Sequence, residues 1–139
     1  MTDAKKYLEQ IEKLDTIIAN KLIEQQQWRD LSLSITAAIN GDRVQTSSSY
    51  EKMANAANKC MDIADEFEGI IEELAAKKKE VIAVIEQVEN PTEYDLLHRK
   101  YIQHIELKDI AFWYNREYNW ATTTHGRALK SVQNILDSV

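Results

Sequence analysis

The residues whose types and spacing point to chemistry crowd into the last third of the chain. From Leu96 to Leu136 the sequence reads LLHRKYIQHIELKDIAFWYNREYNWATTTHGRALKSVQNIL. A short helix, a tight turn and a second helix with exposed polar and aromatic residues make a unit that can enter the DNA major groove. Other chemistry is poorly supported. His98, His104 and His125 lack ligand spacing, and no nearby cysteine completes a metal set. Asp62, Asp65, Glu66, Glu68, Glu72 and Glu73 form an acidic run, but a di-metal bundle site needs an inward Glu-x-x-His pattern, which is absent; the run reads as a solvated helix face. Cys60 falls in an apolar repeat and reads as a small core residue, not a nucleophile. Thr46-Ser47-Ser48-Ser49 lacks the glycines and lysine of a phosphate cradle, and Lys77-Lys78-Lys79 reads as an exposed charge cluster. No catalytic constellation is present, so no enzyme activity, cofactor or small-molecule substrate is expected.

Two long helices must position this tail. One proline and three glycines in 139 residues leave few helix breakers. Asp3 is a plausible N-cap for a helix running to Asn40, with Tyr7, Ile11, Leu14, Ile18, Trp28, Ile35 and Ile39 at helical spacing. Lys21 and Gln25 interrupt that stripe. Either the helix is exposed there, or these residues set register against a partner. The polar segment GDRVQTSSS, Gly41 to Ser49, reads as a loop, with Ser48 or Ser49 as the next cap. In the second helix, expected from Tyr50 to Glu89, Met53, Cys60, Phe67, Leu74, Val81 and Val88 recur every seven residues. Ala56, Ile63, Ile70 and Val84 follow three positions later, and Ala57, Ala64, Ile71 and Ile85 four positions later. Sustained heptads predict coiled-coil packing, and the short loop predicts an antiparallel hairpin. The heptad residues are the candidate interface with a second copy or a partner protein, which would cover whatever apolar surface one hairpin leaves open.

Asn90-Pro91 marks a boundary, with asparagine as cap and proline in the first helical turn. Three shorter helices are expected beyond it: Pro91 to Gln103, Leu107 to Tyr114 and Tyr118 to Leu136. The predicted fold is therefore all-α. Residues 1–89 form a coiled-coil hairpin, and residues 90–139 form a helix-turn-helix domain. The net charge is −6, yet the tail from residue 90 holds six basic and six acidic residues and is neutral. A neutral module has a weak electrostatic footprint, which favours two copies on DNA over one. No apolar run approaches the ~18 residues of a membrane span. MTDAKKYLEQ lacks the apolar core of a signal peptide, and a lone cysteine suits a reducing cytoplasm.

The tail resembles the C-terminal DNA-binding region of bacterial sigma factors, region 4. The matching residues are Ile110-Ala111, the turn Asn115-Arg116-Glu117, and Arg127-Ala128-Leu129. The whole chain is similar to a phage-encoded family that joins two long helices, a GDRVQTSS-like loop and such a tail, like the ArpU-type late-operon regulators of phages infecting Gram-positive bacteria. The resemblance implies a phage or prophage transcriptional regulator in the cytoplasm of a bacterial host. Its partners would be double-stranded DNA, a second copy of itself, and RNA polymerase or another regulatory protein. The implied DNA-binding residues are Arg116, Tyr118, Asn119, Trp120, Thr122, Thr123, Arg127 and Lys130. Asn119 would read adenine, Thr122 or Thr123 base edges or thymine methyls, and Arg116, Arg127 and Lys130 would hold phosphates. Two positions depart from the sigma pattern: Asn115 stands where glycine is usual, and Glu117 is a poor N-cap. The helix is also less basic and more aromatic than usual. A protein-interaction module that binds a host or phage protein without touching DNA is the competing expectation, since Trp113, Tyr114, Tyr118 and Trp120 suit a protein interface about as well.

Overall fold

A computed structural model describes residues 3–41 and 46–138, and all regular structure among them is helical. Five α-helices follow in order: α1 (Ala4–Asn40), α2 (Ser47–Glu86), α3 (Pro91–Leu97), α4 (Leu107–Trp113) and α5 (Tyr118–Asp137). A π-helical turn, His98–Ile102, continues α3. No helix among the described residues is long and apolar enough to cross a membrane.

Local chemistry accounts for most of the boundaries. Asp3 caps α1, its carboxylate accepting the Lys5 N–H at 2.9 Å. Asn90 caps α3 by accepting from the N–H groups of Thr92 and Glu93, at 3.0 and 3.1 Å, with Pro91 at the first helical position. The cap of α2 differs from expectation. Thr46, not Ser48 or Ser49, accepts the Ser49 N–H at 3.1 Å, so the helix begins at Ser47. Residues 42–45 of the expected loop lie outside the described residues. The other end of α2 stops at Glu86, three residues early, because Gln87 and Val88 donate to carbonyls three residues back and tighten the last turn.

The chain forms two compact units, residues 3–15 with 76–138, and residues 16–75. The packing division thus falls inside the long helices, away from the cap at Asn90. In the second unit α1 and α2 run antiparallel along a seam of small and polar residues. Ala57, Cys60 and Ala64 are buried, and so are Gln25 and Ser32. Gln25 Nε2 donates to the Ala64 carbonyl at 3.1 Å, and the Ser32 hydroxyl donates to the Ala57 carbonyl at 2.8 Å. Gln25 therefore does not interrupt the stripe; it continues it. Small residues opposite let the helices approach until a side chain reaches the facing backbone, so the buried amide is satisfied. Lys21 lies over the Phe67 ring, and Arg29 pairs with Glu68 at 3.1 Å. Of the heptad residues in this unit, Cys60 is buried while Met53, Phe67 and Leu74 are half-buried. The seam follows the heptad line and the line four positions later. On the line three positions later, Ala56 and Ile70 are exposed.

In the first unit a single core gathers the beginning of α1 (Leu8, Ile11), the end of α2 (Val81, Ile85, Val88) and the tail (Leu97, Tyr101, Ala128, Val132). Val81 and Val88, from the same heptad series, are thus covered within the chain. Gln133 accepts the Ala4 N–H at 3.0 Å, tying α5 to the first turn of α1. Asp15 pairs with Lys78 and with His104, the latter at 2.8 Å. The core and the Gln133 bond back one side of α5 and leave its opposite face to solvent.

Candidate nucleic-acid interface

α4 and α5 are joined by a turn whose hydrogen bonds are those of a Schellman ending. Arg116 N–H donates to the Ala111 carbonyl at 2.8 Å, and Asn115 N–H donates to the Phe112 carbonyl at 3.0 Å. Asn115 holds φ at 55°, in the left-handed region. Asparagine thus takes the place glycine usually fills there, as its tolerance of this conformation allows. Ile110 and Ala111 are buried against α5, at 0 and 2% exposure. Glu117 precedes α5, and its side chain makes no capping hydrogen bond.

A brace from α3 and the π turn fixes this corner. The Asp95 carboxylate accepts from Arg99 Nε at 2.8 Å and from the Tyr114 hydroxyl. The Arg99 guanidinium lies 4.4 Å from the Trp113 ring centre. Tyr114 packs against Trp120 with ring centres 5.0 Å apart, and Arg116 lies 5.8 Å from the Trp120 ring. Burial pushes the Asp95 carboxyl up, but the hydrogen bonds from Tyr114 and Arg99 and the positive charge of Arg99 outweigh it and hold the group below the usual carboxylate range. Burial and the Asp95 carboxylate together push the Tyr114 hydroxyl up to about 12.

α5 buries Ala121, Thr124, His125, Ala128 and Val132. On the opposite side Asn119, Thr123 and Arg127 follow one another at intervals of four, exposed on one line, with Lys130 exposed one turn further. Arg116, Asn119, Trp120, Thr123 and Arg127 line one shallow depression. The remaining expected residues stand differently. Trp120 is half-buried against Tyr114, so it walls the depression and does not project from it. Thr122 is half-buried and donates its hydroxyl to the Asn119 carbonyl at 3.0 Å. Tyr118, 58% exposed, lies on the other flank of α5, in a cleft with Lys100, Glu106, Leu107 and Lys108.

The three histidines have separate partners: Gln103 for His98, Asp15 for His104 and Tyr101 for His125. No group of three potential metal ligands occurs among the described residues. Sequence reasoning missed the Asp95–Arg99–Tyr114 brace and the cleft with Lys100 and Lys108. The i,i+4 spacing of Asp95 and Arg99 was a readable signal for the first; nothing in the spacing signals the second, because its residues come from three elements. Comparison with known protein families, characterised proteins and solved structures finds no match.

Proposed function

We propose that this chain is a phage-type transcriptional regulator that seats α5 in the major groove of double-stranded DNA and acts in the cytoplasm of a bacterial host. The observation that carries the reading is the exposed line Asn119–Thr123–Arg127, presented beyond a left-handed turn at Asn115. A polar helix face backed by a rigid core is what direct readout needs. Asn119 pairs with an adenine edge, Thr123 meets a base edge or a thymine methyl, and Arg116, Arg127 and Lys130 hold phosphates. Trp120 acts through Arg116, by supporting its guanidinium. The long hairpin serves dimerisation or contact with RNA polymerase or another regulator. Two copies would double the phosphate contacts of a domain whose formal charge is zero.

The second reading, a protein-interaction module, is favoured by Phe112 and Trp113, 86 and 66% exposed at the end of α4. Fluorescence anisotropy on labelled duplexes separates the two. Arg127→Ala should weaken binding to every duplex and lower the salt slope by about one. Asn119→Ala should relax preference at a single base position, at a cost of about 1–3 kcal/mol on the preferred site. If wild type binds duplex DNA and both variants bind as it does, α5 is not the reading element. If wild type binds none at low salt, the interaction-module reading takes its place.

A further inference from the structure

A helix seated in the major groove has a phosphate backbone on each side. Of the anticipated cations, Arg116 in the turn and Arg127 on α5 guard the same one of them. Arg116 and Arg127 lie with Asn119 and Thr123 in one depression. On the other flank α5 offers only Tyr118 and Thr122, neither of them charged. That flank is completed by other elements. Lys100 from the π turn and Lys108 from α4 converge with Tyr118 on a second, open cleft. We propose that this cleft is a phosphodiester-binding site that grips the DNA strand across the groove from the one held by Arg116 and Arg127. The inference rests on the reading of α5 as the groove helix and adds the second half of its footprint.

The geometry suits a backbone contact and not a base contact. Lys108 is 70% exposed at its side chain, and its partner Glu106 is 72% exposed at 3.5 Å, so the pair is weak and easily exchanged for a phosphate. Lys100 is half-buried and lines this cleft, while its ammonium, 5.5 Å from the Tyr101 ring centre, also borders another cleft that holds Glu9 and Glu12. The Tyr118 hydroxyl supplies a neutral donor of the kind that supplements lysines on phosphate oxygens. Glu106 is the unfavourable element, a carboxylate inside an anion site. Its side chain makes no capping bond to α4, so it can be neutralised without loss of a cap.

The test measures anisotropy on a labelled 30-base-pair duplex, about three turns, across 50–200 mM salt. It compares wild type with Lys100→Gln/Lys108→Gln, with Glu106→Gln, and with a control pair, Lys77→Gln/Lys79→Gln, that removes equal charge from an exposed stretch of α2. Each phosphate contact adds about 0.9 to the slope of log affinity against log salt. The cleft double variant should lose about 1.8 from that slope, so that its affinity falls roughly twelvefold less than wild type's over this fourfold salt range. The loss should be the same on all sequences. Glu106→Gln should bind more tightly on every duplex, a gain that unfolding cannot imitate. The α2 control should keep the wild-type slope. A cleft variant with an unchanged slope, beside a wild type that binds, overturns the second site and leaves α5 as the groove helix. An equal fall in the α2 control also overturns it, by showing that total charge alone is felt. A wild type that binds no duplex overturns both proposals.

Discussion

The buried pair at the back of α5 makes the tail sensitive to mild acid. His125 is 9% exposed and hydrogen-bonded to Tyr101 at 2.8 Å, with the rings stacked. Burial is the main reason its imidazole is held down to about 4, and the positive charges of Lys100 and Lys5 add to it. The unfolded chain titrates near 6.5. Because the folded value is the lower one, the contribution to stability is complete above pH 6.5 and is lost as pH falls from there through 4. At pH 5.0 the unfolded residue is almost wholly protonated and the folded one only about a tenth so, a difference of about 2 kcal/mol against pH 7.5. Residual solvation of the partly covered imidazole lowers this to about 1 kcal/mol. Urea unfolding of wild type at pH 7.5 and 5.0 should therefore show the midpoint falling by roughly 0.5–1 M from this residue. His125→Gln keeps a partner for Tyr101 and cannot titrate. The other two histidines are common to both proteins and cancel. A His125→Gln protein that loses as much between the two pH values as wild type does would rule out His125 as the source.

Two further outcomes test the turn and the seam. Asn115→Ala should cost about 1 kcal/mol while Asn115→Gly costs nothing or stabilises, since only the alanine carries a Cβ penalty at φ 55°; equal thermal shifts would deny the left-handed turn. Ala64→Leu should cost about 1–3 kcal/mol by overpacking a fully buried position, whereas Ala56→Leu at an exposed one should stay within about 0.5 kcal/mol; the reverse order in chemical unfolding would place the seam on the other line.

What could be read from the sequence was mostly local. Asp3, Asn90-Pro91 and the Asn115 turn were legible because a cap or a left-handed residue is specified within four positions of itself. The seam was only half legible. Apolar residues follow the α2 heptad at both three and four positions, and the sequence of one helix does not say which line its neighbour covers. Burial of Ala57 and Ala64 beside exposed Ala56 and Ile70 is decided by α1. Gln25 read as an interruption for the same reason: its partner is a backbone carbonyl on the facing helix, which no pattern of side chains announces. In the sequence the π turn after Leu97 looks like ordinary helix. Its extra residue per turn leaves the apolar positions Tyr94, Leu97 and Tyr101 in place and so leaves no mark on the periodicity.

The neutral charge of the tail conceals an uneven placement of its charges. Residues 90–139 do hold six acids and six bases. The acids, however, are not free to offset the bases where the latter stand. Asp95 is engaged by Arg99 and Tyr114, and Glu93 accepts the Ser131 hydroxyl at 2.6 Å. Asp137 accepts from Gln133 in the last turn of α5, away from the end where Arg116 stands. Glu117 stands beside Arg116 and Arg127 in one depression, Glu106 beside Lys100 and Lys108 in the other, and the sixth acid, Asp109, is exposed next to Lys108. At distances beyond about 8–10 Å, salt screens one exposed charge from another, so an anion arriving at either place meets the few charges around it, not a sum over fifty residues. Glu117 and Glu106, the acid that lines each, are therefore the residues whose neutralisation should change anion binding most.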